Sequence, residues 1–204
     1  MNLPPLQPDL PISFGYKCAW YAIQTGEMDA VASALGLRNV QESTWRVGIE
    51  KAYSGNVSHS GPVFITPPLG RWILAAGQAL FYPGNSPKDF ILPRLTRLSQ
   101  QFGIAQYFCT HRVVEAHCWA AARNGELVRA YGYIGERGEV TWDFGERTPI
   151  EFALAEYWTT EDDFTTGPSE NELMEVAAEW SVDPSNLESH FTTPSLGRLG
   201  ELAG

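Results

Sequence analysis

The chain has 204 residues, of which 14 are Lys or Arg and 24 are Asp or Glu, so its net charge is −10. Its hydrophobic content of 44% and its seven tryptophans are typical of a well-packed globular protein and exclude a disordered chain. The negative charge disfavours binding to nucleic acid or to an anionic membrane surface. The sequence is long enough for one domain with a full core.

The expected location follows from the N-terminus and the cysteines. The first residues, MNLPPLQPDLP, lack the basic start and apolar core of a signal peptide, and no stretch is apolar enough to span a bilayer. Three cysteines in a chain of this length fit a reducing compartment. We therefore expect a cytoplasmic protein without a disulfide framework.

The acidic charge is concentrated in the last quarter of the chain. Residues 1–150 carry twelve acids and thirteen bases, whereas residues 151–204 carry twelve acids and a single base, Arg198. A field of that sign raises the rate of encounter with a basic partner. The alternative is that these acids only keep surface helices and loops solvated.

The first half of the chain predicts an arm followed by alternating short elements. Residues 1–13 hold four prolines and predict an extended arm that lies along the body. Patterning, cap residues and turn signals then predict a strand over 16–23, a helix over 29–35 ended by Gly36, a helix over 44–53 capped by Ser43, and strands over 63–66 and 72–76.

The second half is organised around an antiparallel meander over 105–147. An amphipathic helix over 92–102, ended by Gly103, precedes it. Asn124-Gly125 is a strong signal for a two-residue type I′ turn, because both residues tolerate positive φ. Regular pairing from that turn predicts a register in which Trp119 faces Ala130 and His117 faces Gly132.

Two helices are expected after the meander. Thr148-Pro149-Ile150-Glu151 and Ser169-Glu170-Asn171-Glu172 both have the pattern of a capping box, and Asp183-Pro184 ends the second helix. We therefore predict an α+β fold with a mostly antiparallel, twisted sheet and helices packed on one face. The predicted organisation is an arm over 1–13, a single domain over 14–183 with an acidic helical part from 148, and a loosely held tail over 184–204.

One cluster has residue types that bind metals. Cys109, His111, His117 and Cys118 follow one another within ten residues of the meander. His117 and Cys118 are adjacent in a strand, so they point to opposite faces, and the four side chains cannot converge without a bulge or a bend. We therefore expect no metal ion and no cofactor.

The same residues could serve catalysis instead. His111 or His117 could act as a general base beside a carboxylate, with Cys118 or Cys109 as a nucleophile, in a small hydrolase or transferase. No known catalytic motif surrounds them. The alternative is that His117 packs beside Trp119 and that Arg112 and Arg129 pair with carboxylates.

A protein-binding segment is predicted between the two last helices. Trp158 and Phe164 flank three acids, Glu161, Asp162 and Asp163, in what the sequence predicts to be an exposed loop. Aromatic anchors bordered by charge are typical of interface hot spots. The alternative is that Trp158 and Phe164 fold under the loop and cover the core.

Four segments carry a resemblance to other proteins. They are KCAWYAIQTGEMDAVASALGL, VFITPPLGRWILAAG, LSQQFGIAQYFCTHRVVEAHCWAAARNGELVRAYGYIGERGEVTWDFGE and ELMEVAAEWSVDP. Together they resemble a group of uncharacterised bacterial cytosolic proteins, and their small, acidic, tryptophan-rich character is similar to that of immunity proteins. The resemblance implies a non-enzymatic protein that binds and neutralises a cognate bacterial toxin with a basic surface.

Overall fold

The protein, here a computed structural model, is described for residues 5–54, 60–80, 90–156, 158, 160–161 and 164–203. Nine strands form one open, antiparallel sheet in the order β2-β11-β3-β4-β1-β5-β6-β7-β8. The strands of this sheet are β1 (Ala19–Ile23), β2 (Leu37–Ser43), β3 (Gly61–Ile65), β4 (Ile73–Ala76), β5 (Ile104–His111), β6 (Ala116–Arg123), β7 (Glu126–Ile134), β8 (Glu139–Phe144) and β11 (Gly197–Leu202). A separate ribbon pairs β9 (Thr160–Glu161) with β10 (Phe164–Thr165).

The helices lie on both faces of the sheet. They are α1 (Met28–Leu35), α2 (Trp45–Ser54), α3 (Ile91–Phe102), α4 (Pro149–Ala155), α5 (Glu170–Trp180) and α6 (Leu187–His190). The apolar sides of α1 and α3 join one hydrophobic cluster, on what we call the α3 face. Those of α2, α4, α5 and α6 join a second cluster, on the α5 face. The α+β class and the antiparallel sheet are confirmed, but the helices are divided between two faces instead of sharing one.

Strand β1 shows why two cores form. All five of its residues are buried. Trp20 and Ala22 point into the cluster of the α5 face, whereas Tyr21 and Ile23 point into that of the α3 face. A strand that is apolar on both faces must be covered on both faces. The sheet is therefore the middle layer of three.

The predicted Asn124-Gly125 turn is confirmed, but the register beyond it is not. Asn124 and Gly125 have φ of 50° and 88°, as a type I′ turn requires. A bulge between Ala121 and Ala122 then shifts the pairing, so that Trp119 faces Tyr131 and His117 faces Tyr133. Regular pairing was the wrong assumption, since one extra residue in β7 exchanges the two faces of its later part.

The helix caps are partly as predicted. Thr148 and Ser169 both form complete capping boxes, and Gly36 ends α1 with φ of 71°. Ser43 does not cap α2. The carboxylate of Asp9 instead accepts hydrogen bonds from the backbone N–H groups of Trp45 and Arg46, at 2.6 and 3.0 Å. The described part of the proline-rich arm, residues 5–13, thus supplies a helix cap to the body.

The expectation of a loosely held tail over 184–204 is wrong. Residues 197–202 form β11, which lies between β2 and β3 and pairs with both. Leu199 and Leu202 of this strand are buried, on opposite faces. The segment that follows Pro184 is therefore part of the domain core.

Candidate functional site

Trp158, the first residue of the predicted protein-binding segment, lies against the sheet. Its indole Nε1 donates a hydrogen bond to Oε1 of Glu172 at 2.9 Å. Its ring stacks on that of Tyr131, with centroids 5.4 Å apart and planes 19° apart. Trp158 therefore follows the alternative expectation, in which its side chain covers the core. Because the indole N–H is donated to Glu172, it cannot donate to a protein partner in this conformation.

The rest of the predicted segment is only partly described. Glu161 and Phe164 face each other across the β9–β10 ribbon. Asp162 and Asp163 lie outside the described residues. Of the predicted acidic triplet, the structure therefore describes only the backbone of Glu161, in a ribbon whose strand β10 contacts β8.

The acidic last quarter of the chain is a structured layer. Helices α4, α5 and α6 all pack on the α5 face, and no Lys or Arg occurs between residues 151 and 197. Four acids of this layer are exposed: Glu156, Glu175, Glu179 and Glu188. We call these helices the acidic layer. On the other side of the sheet, α3 carries Arg94 and Arg97 and no acid. The net negative charge of the helices on the α5 face is thus confined to the acidic layer, because α2 on the same face carries Arg46 and Lys51.

His117 forms the most organised polar group of the α5 face. It is 3% exposed, and its Nδ1 lies 2.9 Å from Oγ1 of Thr110, its neighbour across β5 and β6. The same hydroxyl donates to Oε1 of Glu170, the first residue of α5, at 2.8 Å. Because a hydroxyl has one hydrogen, Thr110 must accept from Nδ1–H of His117. The imidazole therefore carries its proton on Nδ1, and Nε2 is a hydrogen-bond acceptor.

The environment keeps this imidazole neutral. Burial, with a smaller contribution from His111, lowers the pKa of His117 to about 4, against the opposing effect of the Glu170 and Glu172 carboxylates. Nε2 has no hydrogen-bond partner among the described residues. At neutral pH the ring thus presents a free acceptor nitrogen.

A pocket of ≈ 440 Å³ lies beside His117. It is lined by Arg112, Glu115, His117 and Tyr133 from the meander and by residues 166–171 from the start of α5. Gly167 forms part of the wall, where a Cβ would lie 2.5 Å from the Tyr133 ring, so only glycine allows this close approach. We call this cavity the His117 pocket.

The structure separates the other predicted catalytic residues. Cys118 follows His117 in β6 and packs against the cluster of the α3 face, so the sheet lies between its thiol and the His117 pocket. His111 alternates with Thr110 in β5 and stands on the side of Cys109 and Cys118. Among the described residues, no group of three or more His, Cys, Asp or Glu side chains could hold a metal ion.

Glu151 is a second polar centre, and its role is structural. Its Oε1 accepts from Nε1 of Trp119 and Nε of Arg129, both at 2.8 Å, and its Oε2 accepts from the backbone and hydroxyl of Thr148. The Arg129 guanidinium also contacts Asp143. This network fastens α4 to β6 and β7. The predicted pairing of Arg129 with carboxylates is confirmed, whereas that of Arg112 stays a prediction.

Sequence reasoning selected His117 but not the residues that orient it. Thr110 and Glu170 are 60 residues apart in the sequence. Thr110 is a common type of residue in a strand, and Glu170 is a common type of residue in the first turn of a helix. The capping-box pattern did indicate that Ser169 begins a helix. No local signal indicated that this helix would begin beside His117.

Comparison with known proteins adds no family to this description. No family model matches the chain, and neither the curated proteins nor the solved structures contain a significantly similar chain. In the part of the chain that the structure describes, no helix is both long and apolar enough to cross a membrane.

Proposed function

We propose that this protein is a non-enzymatic binding protein of the immunity type, which neutralises a cognate bacterial toxin in the cytoplasm. The observation that carries the proposal is the acidic layer. The last quarter of the chain holds twelve acids and one base. Six of these acids lie in α4, α5 and α6, which share one face of the sheet: Glu151, Glu170, Glu172, Glu175, Glu179 and Glu188. A basic toxin surface is the complementary partner.

The expected role of the acidic layer is to steer association. Exposed charges contribute little to the strength of a single contact, because water and salt screen them. A one-sided field acts over a longer range and raises the association rate, an effect that weakens as the ionic strength rises. The partner should therefore associate rapidly at low salt and more slowly at high salt.

The residues proposed to contact the partner are the acids of the β9–β10 ribbon and of the acidic layer. Glu161, Asp162 and Asp163 remain in this set, with Phe164 beside them. Trp158 enters it only as a support, since its indole is engaged by Glu172 and Tyr131. Glu175 and Glu179 extend the set along the exposed side of α5.

The proposal is tested by capture and by neutralisation. The tagged protein is incubated with lysate of its host at low salt, and bound proteins are eluted with high salt and identified. We expect a basic protein that is toxic when expressed alone and harmless when expressed with this chain. Replacing Glu175 and Glu179 by Gln should slow its association several-fold.

The matched control removes the same charge elsewhere. The double variant Glu136→Gln with Glu139→Gln also removes two exposed acids. Glu136 lies in the turn before β8, and Glu139 is the first residue of β8. An association rate that does not change with salt would contradict steering by the acidic layer. Equally slow association of the two double variants would also contradict it. A captured protein without toxicity would contradict the immunity role.

A second candidate function is a small hydrolase or transferase with a histidine base. The observation that favours it is the acceptor nitrogen of His117 at a pocket. The proposed nucleophile Cys118 lies on the opposite face, so the substrate or water would have to supply the nucleophile. Turnover of a substrate that is lost in His117→Gln would favour this function over the first.

A further inference from the structure

The His117 pocket is lined by polar side chains, two of which are acidic. His117, Glu115 and Glu170 are among the residues that line it, and all three can accept hydrogen bonds. Arg112 is the one basic side chain in that lining, and it is exposed. With His117 neutral, two carboxylates and one guanidinium leave the lining with a net negative charge.

The N-terminus of α5, which also borders the pocket, carries a capping box that satisfies two of its backbone N–H groups. The backbone N–H of Ser169 donates to Oε2 of Glu172 at 2.7 Å, and that of Glu172 donates to Oγ of Ser169 at 3.3 Å. Carboxylates in the first turn also offset the positive end of the helix dipole. An anion at this position would meet Glu170 and Glu172, so the helix end does not favour one.

The carboxylate of Glu170 is held in place. Its Oε1 accepts from the Thr110 hydroxyl and from the backbone N–H of Lys17, at 2.8 and 3.2 Å. The imidazole of His117 is fixed by the same hydroxyl. The acceptors are therefore oriented before any ligand arrives, which lowers the entropy that binding costs.

We propose that the His117 pocket receives a cationic side chain of the protein partner, a lysine or an arginine. Its N–H groups are directed to Nε2 of His117 and to the carboxylates of Glu170 and Glu115. This inference rests on the proposed function and deepens it, because it assigns one buried contact within a surface that otherwise acts by long-range charge. Such an anchor in a preformed pocket is what distinguishes a specific partner from any basic protein.

Arg112 gives the proposal a sharp test. Its guanidinium repels an incoming cation, so Arg112→Ala should tighten cation binding several-fold. If the pocket bound an anion, the same substitution would weaken binding, because the only cation of the lining would be lost. Since Arg112 is exposed, its removal leaves the fold intact.

The experiment is a titration of the full chain at pH 7 and low salt, followed by the ¹⁵N signals of the His117 imidazole. The probe is N-acetyl-arginine amide, whose only charge is the guanidinium. The neutral control is N-acetyl-glutamine amide, and the anionic control is inorganic phosphate. We expect a saturable shift of Nε2 with the arginine probe alone, weaker binding in Glu170→Gln and tighter binding in Arg112→Ala.

Three results would overturn the proposal: a shift of Nε2 caused by phosphate, equal shifts with the neutral probe, or weaker arginine binding in Arg112→Ala. Glu170→Gln keeps an oxygen that accepts from Thr110, so an unchanged unfolding midpoint would show that its effect is not a loss of fold. Because the titration needs no partner, the pocket can be confirmed even if the partner capture fails, and the reverse also holds.

Discussion

Arg129 and Glu151 form an ion pair that solvent does not reach, with side chains 3% and 1% exposed and Nη2 and Oε1 separated by 2.8 Å. Removing one member of a buried pair costs about 3–5 kcal/mol, because the other charge stays buried without its partner. In Glu151→Gln, Arg129 keeps its contact with the partly exposed Asp143, so the free energy of unfolding should fall by about 3 kcal/mol, the lower end of this range, as measured by urea denaturation. Glu156→Gln makes the same change at the exposed end of α4 and should alter it by less than about 0.5 kcal/mol.

The buried leucines of β11 should be far more sensitive than its exposed acid. Leu199→Ala and Leu202→Ala each remove side-chain volume from one of the two cores, which costs about 2–5 kcal/mol. Glu201→Ala lies between them on the same strand and is exposed, so its effect should stay below about 1 kcal/mol. Equal effects of the three substitutions on the urea midpoint would mean that β11 is not packed between β2 and β3.

Replacing Gly48 by alanine should destabilise the protein, although the same replacement inside a helix usually stabilises it. Gly→Ala inside a helix normally stabilises it by about 1 kcal/mol. A Cβ at Gly48 would lie 2.1 Å from the ring of Phe64, so Gly48→Ala should instead destabilise the protein by about 1–3 kcal/mol. Gly26→Ala is the control, since nothing lies within 4 Å of its added carbon. Thermal unfolding of the two variants checks the difference in sign.

His117 should make stability depend on pH in the acidic range. Burial lowers its pKa from 6.5 to about 4, so between these values the unfolded chain binds a proton that the folded chain does not. The resulting stabilisation is complete above pH 6.5 and is lost as the pH falls to about 4. It amounts to about 3 kcal/mol, at 1.36 kcal/mol for each pKa unit.

The measurement is the difference in unfolding free energy between the natural chain and His117→Gln from pH 7 to pH 4. Taking this difference removes the contribution of carboxylates that titrate equally in both chains. We expect it to shrink steadily as the pH falls. A constant difference would show that the imidazole is protonated at the same pH in the folded and unfolded states.

The elements that could be predicted from sequence are those with a local cause. A positive φ at Gly36, the type I′ turn at Asn124-Gly125 and the capping boxes at Thr148 and Ser169 each depend on residues within one turn of the chain. Strand β2 was missed because five of its seven residues are exposed, so it lacks the alternation that indicates a strand.

The sequence of β11, GRLGEL, has the composition of a loop. Its conformation is set by β2 and β3 on its two sides, which no local pattern reports. The glycines that make it look like a loop also permit the pairing, since a Cβ at Gly197 would lie 2.4 Å from the backbone oxygen of Ile65. The same reason explains the site: His117 could be selected by its residue type, but Thr110 and Glu170 meet it only after the sheet and α5 have assembled.

The position of β11 has a consequence for how the chain is synthesised. On a ribosome, β2 and β3 emerge more than 130 residues before the strand that joins them. Until residues 197–202 leave the exit tunnel, facing edges of β2 and β3 remain open and could pair with other nascent chains. The sheet can therefore be completed only after that strand has been translated. A chaperone that covers strand edges should then raise the yield of folded protein.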